Sequence, residues 1–319
     1  MKTGSRLSND RIEEAFRKID PVFLRTPQYI SDTLSALLNA TLVLKIETQN
    51  PIRSFKGRGA DFLITESDAN TTLICASAGN FGQAMAYACR KKNIKLIVYA
   101  SVRANPLKIE RMKQLGATII LHGDDFDSAK LQAKQFAKDS GARFIEDSLD
   151  IETVEGAGTI GLELLDFATP IDVLLIALGN GAMINGIGSI FKERNPSTQI
   201  VAVQASGAPA MVESWKKKTV ITHESVNTIA DGIAVRIPVP EALADMEGIV
   251  DDAVLVREDS IIKAMKLLHR HAGIVAEPSG AVGLAAILEH PDIYASKTVA
   301  TIICGGNMTQ QQLDQWLCS

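Results

Sequence analysis

What the chain lacks narrows its work before any motif is considered. No basic block, and no interleaving of basic with aromatic residues, marks a nucleic-acid surface; charges of both signs are scattered and sum to −4. No apolar run is long enough to span a bilayer, and the opening MKTGSRLSND has no apolar stretch of a signal peptide. There is no repeat at a short fixed period and no low-complexity linker. Cysteine is scarce. Cys75, Cys89, Cys304 and Cys318 form no CxxC pair and no metal-like cluster with histidine. Cys75 and Cys304 lie in or beside apolar, strand-like runs, where a reduced thiol is an ordinary core residue, so a reducing cytoplasm is expected. His122, His223, His269, His271 and His290 show no HExxH spacing. They are read as structural or surface residues, and no metal site is expected.

What is present is an alternation. The 319 residues, 46% of them hydrophobic, suffice for a substantial core and for two lobes. Strand-like runs at 41–47, 96–100, 117–121, 142–146, 172–178, 199–205 and 298–304 alternate with helical stretches at 106–115, 126–139 and 182–194. Continuous apolar, β-branched runs such as TVATIIC read as strands buried on both faces. The expected fold class is α/β: two lobes, each a mostly parallel sheet covered by helices. Half-units are visible at 72–146 and 172–205, and residues 147–165 read as a loop entering a helix that crosses between lobes. Residues 206–257, with Pro209, Pro238 and Pro240, read as loops with short helices.

In open parallel sheets ligands sit beyond the C-terminal ends of strands, and four loops meet that description. SFKGRGA places Lys56 between Phe55 and Gly57; Gly57 and Gly59 read as turn residues or as positions allowing close passage of backbone and ligand. SAGNFGQA (77–84) offers free N–H groups that suit a carboxylate, or is a strand–helix turn with a Ser or Asn cap. LGNGAMINGIG (178–188) lets backbone approach an anion, most readily a phosphate, but has neither P-loop spacing nor a secure dinucleotide fingerprint. CGGN (304–307) leaves the Cys304 thiol room to face a flat ligand, or is a buried cysteine before a turn.

An amine, a carboxylate-binding turn, a phosphate cradle and a neutral thiol are the equipment for pyridoxal 5′-phosphate (PLP). With EPSGA (277–281) as a fifth motif in the same order, the chain resembles, from about residue 20 onward, the fold-type II PLP enzymes of the serine/threonine dehydratase family, which includes serine racemase. The resemblance implies a tryptophan-synthase-β-like fold. The large PLP-binding domain would comprise residues 1–68 and 148–319, and a small mobile domain residues 69–147. It implies Lys56 as the Schiff-base lysine with Phe55 packed near the cofactor, Asn80 on its 3′-oxygen and Glu277 near its ring. Cys304 would lie by the pyridine nitrogen, and Gly179, Asn180, Gly181, Ala182 and Met183 would wrap the phosphate. Ser77, Ala78, Gly79 and Asn80 would face the substrate carboxylate. Three departures stand out. The phosphate loop reads GNGAM rather than a run of four glycines. Phe81 replaces a histidine after the asparagine turn. Gln204-Ala205 stand where some relatives carry an acidic cation ligand, so that site is not transferred.

A lysine amine, whose pKa in an unfolded chain is about 10.4, is a poor nucleophile near neutrality. Released from the cofactor beside Cα it becomes a general base. Cys304 is at most a weak neutral donor to the pyridine nitrogen. Carbanion charge is then poorly stored, which favours prompt loss of a β-substituent over transamination. Arg58 reads as structural. The expected activity is dehydration of an L-β-hydroxy amino acid such as L-threonine or L-serine to a 2-oxo acid and ammonia, an ammonia-lyase reaction. Alternatives are a dehydratase for a bulkier substrate (phenylserine- or hydroxyaspartate-like) or a serine racemase. In an NAD-binding oxidoreductase reading, Lys56 and Cys304 have no task. A non-catalytic regulator is opposed by the intact Lys56, Asn80 and Cys304. A fused allosteric domain is not expected. The expected partners are a small amino acid and further copies of the chain, as a dimer or tetramer, with no nucleic acid and no membrane.

Overall fold

The computed structural model describes residues 6–317; the outermost ends of the expected large domain, residues 1–5 and 318–319 with Cys318, lie outside the described residues. The strands are β1 (Gln28–Ile30), β2 (Thr41–Ile46), β3 (Leu73–Ala76), β4 (Leu96–Ala100), β5 (Thr118–Leu121), β6 (Arg143–Ile145), β7 (Val173–Ala177), β8 (Gln199–Ala205), β9 (Asp252–Val256) and β10 (Thr298–Ile303). They form a six-stranded sheet in the order β1-β2-β10-β7-β8-β9 and a four-stranded sheet in the order β5-β4-β3-β6. Every pairing is parallel except β1 with β2.

The apolar runs explain the layering. β4, β7 and nearly all of β10 are buried along their length, as parallel strands with helices on both faces must be. Turn chemistry sets the helix starts. Asn105 accepts from Leu107 N–H ahead of helix Pro106–Gln114, and Asp125 from Ser128 N–H ahead of helix Phe126–Ser140. Leu174, Ile176 and Val203 belong to a continuous apolar core around the large sheet, while Cys75 and Val98 pack on one face of the small sheet and Ile74 and Tyr99 on the other.

Two sequence readings are corrected. The stretch 206–257 holds short helices at Ala210–Lys217 and Pro240–Asp245, but also β9, which closes the large sheet beside β8. Its DAVLV is short, begins with the second of two consecutive aspartates and is only half-buried, so it lacks the continuous apolar signature of the inner strands. Gly57 and Gly59 are not turn residues; they lie inside helix Lys56–Thr65. A Cβ at Gly57 would fall 2.3 Å from the Phe23 ring, and one at Gly59 would fall 2.5 Å from the Thr153 carbonyl oxygen. Their small size lets this helix pack on Phe23 and on helix Ile151–Leu165, rather than making room for a ligand.

Candidate active site

The C-terminal ends of β3 and β6 in one sheet, and of β7 and β10 in the other, open on one cavity of about 720 Å³, within the size range of small-molecule sites. Its lining includes Phe55, Lys56, Ser77, Ala78, Gly79, Asn80, Gly179, Asn180, Gly181, Ala182, Met183, Glu277 and Cys304. The separated sequence motifs therefore converge in space.

Lys56 opens helix Lys56–Thr65. Two residues on, Arg58 is turned by about 200° around the helix axis, so the two cations serve opposite surroundings. Lys56 reaches the cavity, where its Nζ donates to Asp147 Oδ2 at 2.5 Å and lies 4.6 Å from the centre of the Phe55 ring. Arg58 is fully buried beneath, bridging Glu47 and Glu163.

Two helix N-termini face the cavity. Gly79 precedes helix Asn80–Lys92, and Ser77 Oγ accepts from the N–H groups of Gly79 and Gly82. The hydroxyl thus shapes the turn, leaving the N–H groups of Ala78 and Asn80 without a partner among the described residues. Gly181 caps helix Ala182–Arg194 with φ 98°, a left-handed conformation that glycine adopts without cost. Ala182 N–H donates to Ser148 Oγ, while the N–H groups of Gly179, Asn180, Gly181 and Met183 have no partner among the described residues. Unpaired donors at a helix N-terminus are an anion site.

Between these ends lies a polar wall. Asn80 donates to Glu277 Oε1 at 2.7 Å and accepts from Asn307 Nδ2 at 2.8 Å. Its amide keeps one N–H free for a ligand atom. Asn307 N–H donates to Glu277 Oε2, and Arg111 donates to Asn307 Oδ1. Gly305 is required here, because a Cβ would fall 2.3 Å from Glu277 Oε1. Burial, reinforced by the nearby Glu277 carboxylate, pushes the Cys304 thiol up, so it stays protonated. Ser279 Oγ is buried, lines the cavity and has no hydrogen-bond partner among the described residues. Asp147, Ser148, Ser279 and Asn307 were not singled out from sequence. Asn307 and Ser279 stand inside the CGGN and EPSGA motifs, but Asp147 and Ser148 carry no motif signal.

Burial first, then the charge of Asp231, pushes the Glu277 carboxyl up to about 7, against Lys108, Asn307 N–H and Asn80. Because the folded state holds this proton more tightly than the unfolded chain, the contribution to stability is fully present below the unfolded pKa of about 4.3. It is lost as pH rises toward 7. Cofactor-free protein is therefore expected to melt progressively lower between pH 5 and 7. Glu277→Gln, neutral throughout, is expected to flatten that part of the melting-temperature profile; an unchanged slope would show that Glu277 is not its source.

The geometry agrees with three comparisons. A family model described as pyridoxal-phosphate dependent enzyme matches residues 19–305. An L-threonine ammonia-lyase of Thermotoga maritima is 34% identical, over 95% of this chain and 76% of the relative; a catabolic L-threonine dehydratase of Staphylococcus aureus is 33% identical, over 97% and 91%. The structure of maize serine racemase superposes with a TM-score of 0.90 at 31% identity, covering 97% of this chain and 96% of that one.

Proposed function

The chain belongs to the pyridoxal-phosphate-dependent enzyme family, and from that premise we propose that it is an ammonia-lyase that dehydrates L-threonine, L-serine or a close β-hydroxy amino acid to a 2-oxo acid and ammonia. One observation carries this reading: the Lys56 amine, two unpaired helix N-termini and a neutral thiol line the same cavity. They fit PLP. The donors of Gly179 to Met183 suit its phosphate, Lys56 its aldehyde, and the remaining Asn80 N–H and the Ser279 hydroxyl its ring substituents. The protonated Cys304 suits a ring nitrogen that is not ionised. When bound, the cofactor supplies the carbonyl carbon that joins the substrate amine and the electron sink for charge leaving Cα.

The chain's own groups do the rest. The free N–H groups at Ala78 and Asn80 hold the substrate carboxylate at a helix N-terminus. Lys56, freed from the cofactor carbon, takes the Cα proton as general base. Cys304 offers no full positive charge to the ring, so charge from Cα is relieved by expelling the β-hydroxyl. The released enamine hydrolyses to the 2-oxo acid and ammonia. Residues 69–147, we propose, form a small mobile domain. The separate four-stranded sheet β5-β4-β3-β6 supports this division, and the ion pairs across the cavity rim, Arg236 to Asp125 and Asp127 and Lys108 to Asp231, are the contacts such a motion would break. Buried, unpaired Cys75, Cys89 and Cys304 suit a reducing cytoplasm. No helix of the described residues is long and apolar enough to cross a membrane. A homo-oligomer, dimer or tetramer, is expected, and light scattering would measure it.

The decisive assay follows 2-oxo acid and ammonia from a panel of β-hydroxy amino acids, together with inversion at Cα. Racemisation needs a proton-carrying group on each face of Cα, and Ala78 lines the cavity with a methyl group. Dehydration of L-substrates with little inversion is expected; rapid inversion without 2-oxo acid would make the racemase reading correct. Ala78→Ser is expected to add measurable inversion, and its absence would mean that this position does not face Cα.

A further inference from the structure

The Lys56 amine has a charged companion that the reaction outlined above does not use. Asp147 follows β6 and lines the same cavity. Its Oδ2 accepts from Lys56 Nζ at 2.5 Å, with the two side chains 17% (Lys56) and 13% (Asp147) exposed. Its Oδ1 is buried and has no hydrogen-bond partner among the described residues. Neighbouring cations are committed elsewhere: Lys130 and Lys134 to Glu146, Arg143 to Asp150, and Lys108 to Asp231. Lys56 is thus the cation that Asp147 holds. A carboxylate in such surroundings, left with a lone oxygen unpaired, costs stability. A pair like this at the cavity suggests use rather than packing.

We propose that Asp147 is a further residue of the reaction centre: it positions the Lys56 amine by charge and takes up the proton that an ammonium must shed before its nitrogen joins the cofactor. The inference rests on the reading that Lys56 carries PLP. An ammonium has no electron pair with which to attack a carbonyl. Lys56 must first give up one proton, and Asp147 Oδ2 is within hydrogen-bond reach to take it. The nitrogen pair then forms a bond to the aldehyde carbon. The aldehyde oxygen departs as water with the two remaining nitrogen protons, leaving a C=N bond, and Asp147 returns its proton to that nitrogen. Ammonium plus aldehyde thus gives a protonated C=N group and one water, with Asp147 ending as it began. When a substrate enters, its ammonium sheds a proton to the same carboxylate. Its amine replaces Lys56 at the carbon, and Asp147 keeps the shed proton, so that the displaced Lys56 leaves as a neutral amine able to take the Cα proton.

The test uses the full-length protein cleared of cofactor. It is mixed with PLP, quenched with borohydride at timed intervals and digested, and the fraction of Lys56 peptide carrying the cofactor is measured by mass spectrometry. Asp147→Asn keeps the shape but accepts no proton, and capture is expected to slow by about 10²-fold, the lower end for a general acid–base group. Asp147→Ala is expected to be as slow, and added formate, a carboxylate small enough for the gap, to restore part of the rate. Formate is expected to leave the parent and Asp147→Asn unchanged. A merely structural role would not respond to formate. Melting curves establish that the variants are folded; should Asp147→Ala not fold, the near-isosteric Asp147→Asn decides alone. Capture by Asp147→Asn at the parental rate, or faster, overturns the proposal. So does slow capture in both variants with no rescue of Asp147→Ala by formate. A parent protein that acquires no label on Lys56 instead overturns the assignment of Lys56, and so separates the two failures.

Discussion

Lys56→Ala is expected to lower 2-oxo acid formation by at least about 10²- to 10⁴-fold, the range that a single general acid–base group is worth. The true loss is expected to lie beyond that range, because the same nitrogen has two tasks. It anchors the cofactor covalently and it receives the proton from Cα, and no other lysine lining the cavity is free to replace it. Lys108 is paired with Asp231 and Lys130 with Glu146. The free donors of Gly179 to Met183 and the side chains of Asn80 and Ser279 remain, so the variant is expected to bind PLP reversibly. Dialysis should then strip the cofactor from the variant but not from the parent, and borohydride should fix it only in the parent. A small primary amine such as ethylamine is expected to return a measurable part of the activity by supplying a base in the vacated space. Activity within tenfold of the parent would remove Lys56 from the chemistry. The fold is expected to survive, because the Lys56 amine lies outside the buried charge network beneath its helix.

That network marks the limit of what the chain discloses as a string of letters. The motifs were legible because they break a rule locally. Glycine and small polar residues follow apolar strands at 77–80, 179–183 and 304–307, where a core strand would otherwise run straight into its helix. Inner strands were legible because burial on both faces leaves an unbroken apolar run. β9 was not, since half-burial at the sheet edge leaves no such run. Asp147 was not, since its meaning depends on Lys56, far away in sequence. Gly57 and Gly59 were visible as glycines, but only the packed helix Ile151–Leu165 and the Phe23 ring explain why no larger residue fits. For Asp147 and the two glycines the missing information was a partner distant along the chain.

The largest stability effect is expected at Arg58, which reads as structural in the sequence although its partners are not visible there. Its guanidinium donates to both oxygens of Glu47, at 2.8 and 2.9 Å, and to Glu163 at 2.6 Å, and Lys45 donates to the other Glu163 oxygen at 2.5 Å. Thr26 and Thr159 complete the hydrogen bonding. Arg58, Lys45 and Glu47 are fully buried and Glu163 nearly so. Burial alone would raise the Glu163 carboxyl, yet Arg58 and Lys45 hold it below the usual carboxylate range. Two cations balance two anions, so the group is neutral as a whole and intolerant of losing one member. Arg58→Met fills much of the same space but strands Glu47 without its cation. The expected loss is about 3–5 kcal/mol, the cost of breaking a buried ion pair from one side. It is read as a lower urea midpoint with an unchanged slope, in cofactor-free protein so that binding does not mask it. Arg58→Met combined with Glu47→Met leaves the Lys45–Glu163 pair neutral and replaces the other pair by apolar side chains. It is expected to recover most of that loss, since apolar replacement of a whole buried pair is often neutral. The coupling between the two substitutions, rather than either alone, identifies the stranded charge as the cause. A double variant no more stable than Arg58→Met would place the effect in lost packing beneath the Lys56 helix instead.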